Sequence, residues 1–484
     1  MISAVSASNV ETAVTLPGGI FISVKTKRGE IMAKTREEKA DMMLNGDIRK
    51  TIISMAVPTI TAQLITVFYN LVDTYFVSTI GTNATAAVGV NSSLERSISM
   101  IGTFIGSGAA SYLARSLGRR DQEAADRVLS TSLVIGMGLG LIMLALGIPN
   151  IRSLVYFLGA NDDCAVYAMQ YAQYVLLAAP FMVGSFIFNM CLKSEGSASI
   201  AMIGIGFGGI LNCFLDPIFI RTLGLGVAGA SIATAISKTI SFAILAYMYI
   251  AHKSAVNISL KKFRIVKEEA LDVIRIGSAS LLRTLCMIYG NITINRIASS
   301  YSTSALAAMS VSNRVMEFPF AIILGFGMGY QPTAGFNWGA KRYDRVREGL
   351  DFATMVSIVG GIIMGAVIIL FRRPLISVFN RQADPEVLRI CTLCIVLQCI
   401  ALPAHTFLSI HNMFYSGIGK AKAALALSTA RQGYLLIPLL YILPALMGVN
   451  GLASAQCGAD VLSLLITVPL AIHARKLIGA EMNA

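Results

Sequence analysis

A few polar residues sit inside long apolar stretches, with types and spacing suited to holding an ion. Tyr69 and Asp73 are four apart and share one helix face; Asn212 and Asp216 do the same on another. Thr234 lies in a run of small residues, Gly226-Val-Ala-Gly-Ala-Ser-Ile-Ala-Thr234, of the kind that lets helices approach closely. If the segments carrying them meet, two carboxyls, an amide and two hydroxyls converge. Such an oxygen-rich site suits Na⁺. It equally suits H⁺, because burial and a neighbouring like charge both favour a protonated carboxyl. The competing reading is a polar cluster that merely ties helices together. Pro58, in the middle of the same apolar stretch as Asp73, removes one helical hydrogen bond. It is either a passive kink or a hinge.

Other ionisable residues also interrupt apolar runs: Glu95, Arg96 and Lys238 in the first half, and Arg283, Arg314, Glu317, Arg431 and Asp460 in the second. Each costs at least about 2.5 kcal/mol on insertion scales and so needs a reason. Glu317 and Asp460 would attract a cationic ligand. Equally, Glu317 would pair with Arg314 one turn away, and Asp460 with Arg431. Asn291 and Asn412 join them as candidate ligand contacts in the second half.

The elements that must position these groups follow from composition. The chain has 484 residues, 55% hydrophobic and 13% charged, with a mean hydropathy of +0.69. A soluble protein carries about a quarter charged residues, so a water-soluble multidomain enzyme and a disordered chain are both excluded. Twelve continuous apolar runs of spanning length lie between Ile52 and Ile472. They are too long and unbroken for barrel strands. The expected fold is therefore all-α, a polytopic membrane protein of twelve transmembrane helices.

Twelve spans place both termini on one side. That side holds 26 Lys and Arg, against 7 in the opposite loops, which predicts cytoplasmic termini. The net charge of +13 is spread over these short loops and does not form a nucleic-acid patch. A Lys-rich stretch after span six divides the chain. The expected organisation is a polar N-terminal tail (1–46), a first lobe (47–252), a linker (253–268), a second lobe (269–475) and a C-terminal tail (476–484). Within the first tail, Met32 is the more typical start. The two lobes repeat. An offset of 221 aligns Asn70 with Asn291, Gly108 with Gly329 and Gly118 with Gly339; later offsets of 223 and 222 align Asn189 with Asn412 and Gly229 with Gly451. Six spans per half put the halves in parallel, related by an axis along the membrane normal, with a ligand site between them. At the same offset Lys238 matches Asp460, and a pair across the repeat is one option.

Several apparent motifs fail. Gly204-Ile-Gly206-Phe-Gly208-Gly209 lacks a preceding strand and lies inside a span, so helix packing is its use. No P-loop is present. Cys391, Cys394 and Cys399 cluster without a second pair at zinc spacing and read as packing residues, and the 4 His form no metal or triad pattern.

The residues resemble the multidrug and toxic compound extrusion (MATE) transporters, in the bacterial branch that includes the DNA-damage-inducible type and the staphylococcal multidrug pumps. Four segments carry the resemblance, besides Pro58. They are Asn70-Leu-Val-Asp73-Thr-Tyr-Phe-Val-Ser-Thr-Ile-Gly81, Ala114-Arg115-Ser-Leu-Gly118-Arg-Arg-Asp121, Asn212-Cys-Phe-Leu-Asp216-Pro217 and Gly224-Leu-Gly226-Val-Ala-Gly229-Ala. The resemblance covers about residues 47–475. It implies two six-helix lobes and an antiporter that exports organic, often cationic, drugs in exchange for H⁺ or Na⁺, with no cofactor. It implies a monomer in the bacterial inner membrane. The family's cation site falls on Asp73, Asn189, Asn212, Asp216 and Thr234, with Tyr69 beside it, and its bending proline falls on Pro58. The branch that uses second-lobe acids keeps them in spans seven and ten. Span seven here has Arg283 and span ten has no acid, so coupling is expected in the first lobe. The rival within the superfamily is a flippase for lipid-linked oligosaccharides, which would use a cationic cavity.

Overall fold

The computed structural model describes residues 12–15, 21–24, 36–78, 81–251, 253–379 and 384–483. The stretch expected to be a polar tail contains an antiparallel hairpin, β1 (Thr12–Thr15) and β2 (Phe21–Val24), and a helix, α1 (Arg36–Leu44); Met32 lies outside the described residues. The first half then runs α2 (Ile48–Ser78), α3 (Thr82–Gly118), α4 (Gln122–Gly147), α5 (Ile151–Phe157), α6 (Asp162–Ser194), α7 (Ala198–Pro217) and α8 (Gly226–Ile250). The second half begins with α9 (Lys267–Tyr301), α10 (Thr303–Gly339), α11 (Tyr343–Leu370) and α12 (Arg372–Phe379). It continues through α13 (Pro385–Gly417), α14 (Ala421–Thr429), α15 (Leu436–Met447), α16 (Val449–Leu462) and α17 (Leu464–Asn483).

Each of the twelve apolar runs lies in one of these helices, with α14–α15 forming the eleventh span and α16–α17 the twelfth. Among the described residues, nine segments are long and apolar enough to cross a membrane on composition alone. The other three are α3, α9 and α10, which are longer than most but carry Glu95, Arg96, Arg283, Arg314 and Glu317. Side-chain caps start several helices. Asp121 accepts from the Ala124 N–H at 3.0 Å, Asn161 from Cys164 at 3.2 Å and Ser302 from Ala305 at 2.9 Å. Pro217 closes α7, and the chain passes into a π-helical turn, Ile218–Thr222. A second π-helical turn, Ala430–Tyr434, separates α14 from α15.

The packing pattern repeats. In the first half α3 packs on α6, α4 on α6, α6 on α8 and α2 on α7; in the second, α10 packs on α13, α11 on α13, α13 on α16 and α9 on α14. The halves meet through equivalent pairs, α2 against α10 and α9 against α3, with α3 against α10 between them.

At one end this seam is backbone against backbone. A Cβ at Gly118 would strike the Phe336 carbonyl oxygen, and one at Gly339 would strike the carbonyl oxygen of Arg115. Arg115 and Phe336 are themselves repeat partners at the 221-residue offset, so the contact is reciprocal. Arg115 also pairs with Asp272, and Arg127 with Glu269 at 2.5 Å, both across the halves. Further along α3 and α10, toward the other end, Arg96, Arg314 and Glu317 are exposed, so the halves part and leave a cleft.

Helix α1 packs on the closed end. Met43 is fully buried among first-half residues, yet its carbonyl accepts from Asn337 of α10 at 3.1 Å. Arg345 holds the Gly46 carbonyl at 2.6 Å, and Lys39 lies 3.8 Å from Glu195. Burial of the Met43 side chain docks the helix. Met43→Ala is expected to remove about 2 kcal/mol or more of that docking. Hydrogen–deuterium exchange checks this: residues 36–46 should lose protection while the spans keep theirs.

Candidate functional site

In the first half the structure brings Tyr69 and Asp73 of α2, Asn212 and Asp216 of α7 and Thr234 of α8 together. The i, i+4 spacing turns each α2 and α7 pair toward the other helix. Close approach of α8 comes from small residues: a Cβ at Gly208 of α7 would meet the Ser237 backbone and the Ser241 hydroxyl. The Asn212 Nδ2 donates to Asp216 Oδ1 at 3.1 Å and reaches Thr234 Oγ1 at 3.5 Å. Asp216, fully shielded from solvent, lies within hydrogen-bonding reach of the Asp73 carboxyl. Two carboxylates hold such an approach only with a proton or cation between them. Oδ1 of Asp73 and Oδ2 of Asp216 are buried and meet no donor among the described residues.

Two charged residues whose role was not legible in the sequence join this cluster. Lys238 donates to the Tyr69 hydroxyl at 2.8 Å, its ammonium 4.8 Å from the ring centroid. Glu95 of α3 accepts from the Tyr171 hydroxyl at 3.0 Å and is a near charge to both Asp73 and Lys238. Their signal was position: ionisable groups in mid-span. Three carboxyls therefore face one ammonium. In a low-dielectric site that imbalance draws in a proton or a small cation.

Asn189 is elsewhere. Its amide donates to the Ala201 carbonyl at 2.9 Å. Ala201 stands eleven residues before Asn212 in α7, roughly 16 Å along the helix. Pro58 lies inside α2, which remains helical through it, fifteen residues before Asp73. Several neighbours of Asp73 in the Asn70–Gly81 segment, Thr79 and Ile80 among them, lie outside the described residues.

In the second half the alternatives resolve differently. Asp460 is buried, takes Arg431 Nε at 2.5 Å and Gln456 at 3.3 Å, and so does not offer a free carboxylate to a ligand. The Arg431 guanidinium also covers the Phe320 ring at 4.6 Å. Lys238 and Asp460 each have a partner in their own half and do not meet. Glu317 is exposed, with Arg314 of its own helix and Arg96 of α3 as its charged neighbours. Asn291 is exposed on α9, whereas Asn412 is buried beside Arg283 between the halves. The clustered cysteines are packing groups: Cys391 Sγ lies 3.2 Å from the Ala308 carbonyl and Cys394 Sγ 3.0 Å from the Gln398 amide. Among the described residues no His, Cys, Asp and Glu group has the arrangement of a metal centre.

A two-fold repeated, twelve-span bundle with a cleft between its halves and buried carboxyls in one of them is a transporter architecture. The MatE family model matches residues 58–218 and 279–442, and the chain belongs to this family of multidrug export transporters. Members are transporters, not enzymes. The multidrug export protein MepA of Staphylococcus saprophyticus subsp. saprophyticus is 24% identical over 431 residues, which are 89% of this chain and 95% of that protein. The outward-facing structure of a multidrug resistance MATE family transporter of the MOP superfamily superposes with a TM-score of 0.86. It is 26% identical and covers 92% of this chain and 99% of its own. A MOP superfamily transporter from Pyrococcus furiosus, described as having a binding pocket of reverse polarity that suggests a different function, superposes with a TM-score of 0.84. It is 27% identical over 92% of this chain and 99% of its own.

Proposed function

We propose that this chain is a secondary antiporter that exports organic, cationic compounds in exchange for H⁺ or Na⁺. The observation that carries this reading is the approach of Asp73 to Asp216, each with a buried oxygen that no donor reaches among the described residues. Both termini are cytoplasmic and the protein works as a monomer in the inner membrane; the 26-to-7 distribution of basic residues supports that orientation. The closed end then faces the cytoplasm and the cleft faces out.

In this cycle the carboxyl pair takes an ion from the open side. Neutralising it changes the contacts of α2 with α7, and α2 bends at Pro58, where a helical hydrogen bond is missing. The cleft shrinks, substrate leaves, and the halves rock to release the ion inward. Coupling energy comes from the difference in ion affinity between the two states. The flippase reading is favoured by one observation, the basic residues Arg96, Arg283 and Arg314 along the cleft.

Efflux of ethidium from cells making the protein tests the two readings. Export abolished by collapse of the proton gradient is expected for H⁺ coupling, and export that survives it but needs a Na⁺ gradient for Na⁺ coupling. No efflux of ethidium or other cations by a well-expressed protein would shift the reading to the flippase.

A further inference from the structure

Arg283, half-buried between the halves, differs from Arg431, Arg115 and Lys238. Arg431 has Asp460, Arg115 has Asp272, and Lys238 has Tyr69 and the first-half acids. The Arg283 guanidinium makes no ion pair or hydrogen bond among the described residues, and no carboxylate lies near it. It lines a crevice between the halves, at the foot of the cleft. α3 contributes Thr103 and Ser107 to this crevice, α9 Ser280, α10 Gln331 and α13 Asn412. Asn412 is 6% exposed, and its Oδ1 is buried with no donor. The side chains of Thr103, Ser280 and Gln331 likewise make no hydrogen bond among the described residues. A guanidinium without a protein partner, amid unused donors in a membrane interior, suits an oxyanion. The free space is about 30 Å³, enough for a small head group and not for the body of a drug.

We propose that this crevice holds a carboxylate carried by the exported compound, with Arg283 as its charge partner and Gln331, Thr103 and Ser280 as further donors. This rests on the export reading and deepens it: plain cations are carried by the cleft alone, and amphoteric molecules, whose cationic body lies in the cleft above, are bound more tightly. The orphan Asn412 Oδ1 accepts from a donor on the same ligand.

The test uses the purified full-length protein and two rhodamine dyes with the same xanthylium cation, one with a free carboxylate and the other its ethyl ester. Fluorescence anisotropy is expected to show the acid binding about ten-fold more tightly than the ester, the effect of one charge-assisted contact. In Arg283→Gln the preference should vanish while ester affinity stays, which also shows that the variant is folded. Arg283→Lys keeps the charge without the fork and should retain about a three-fold preference. Equal affinity for acid and ester in the wild type, a preference that survives Arg283→Gln, or binding of neither dye overturns the proposal. Ethidium has no carboxylate, so its efflux reports the export reading by itself. Efflux without an acid preference removes only the carboxylate site; an acid preference without efflux removes only the export reading.

Discussion

Asp216→Asn is expected to stop gradient-driven export while leaving a folded protein that still binds substrate. The amide has the shape of the carboxyl and is cheaper to bury, so packing between α7, α8 and α2 survives. Asn212 keeps an acceptor, because the new amide oxygen takes the place of Oδ1 in the 3.1 Å bond. What disappears is the charge that answers to a proton or Na⁺. Without it the two states of the transporter bind the ion alike, and an ion with equal affinity for both states moves nothing. Efflux should fall at least about ten-fold, in line with the usual size of a coupling free energy, whereas dye binding in detergent should change little. Export at the wild-type rate in Asp216→Asn would move the coupling site elsewhere. Asp73→Asn should behave the same way, because the carboxyls act as a pair. The double variant should then be no worse than either single one, as expected for residues that work as a unit.

The second large effect is expected at the seam. Gly118→Val puts a branched side chain where even a Cβ would collide with the Phe336 carbonyl oxygen, and Gly339→Val does the same against Arg115. Backbone cannot change rotamer, so the relief must come from separation of α3 and α10. Overpacking of this kind costs about 1–3 kcal/mol, enough to shift a two-state equilibrium by roughly five- to 150-fold. Both variants should lose transport. Their α3 and α10 segments at the closed end should exchange hydrogen for deuterium faster, with the carboxyl cluster unchanged. Full transport in Gly118→Val would mean that the halves do not need this contact.

The spans, their number and the repeat were legible because each rests on a local, one-dimensional signal. Apolar length marks a span, and a nearly constant offset marks a repeat. The Tyr69–Asp73 and Asn212–Asp216 faces were legible for the same reason, since i, i+4 spacing already places both groups on one side. What depends on the rotation of a helix about its own axis was not. Glu95 and Lys238 look like isolated costs in the sequence; only the packing of α3 and α8 against α2 turns them toward Asp73. Asn189 is a donor in the right helix, but its amide is taken by the Ala201 carbonyl. For Asp460 two outcomes were open, and the reach of the Arg431 side chain from the π-helical turn to α16 decided between them. Helix α1 gave little warning, because its docking rests on a single buried methionine and on bonds supplied by distant residues such as Asn337 and Arg345.

The reciprocal glycine contact also limits how this protein can change over generations. A clash between two side chains is commonly relieved by a smaller residue opposite. At Gly118 and Gly339 the opposing atom is a main-chain oxygen, which every amino acid carries. No second substitution at Phe336 or Arg115 removes it. The two positions are therefore held independently of each other, with no compensating route between them. The side chains around them are free to drift as the cleft adapts to new cargo.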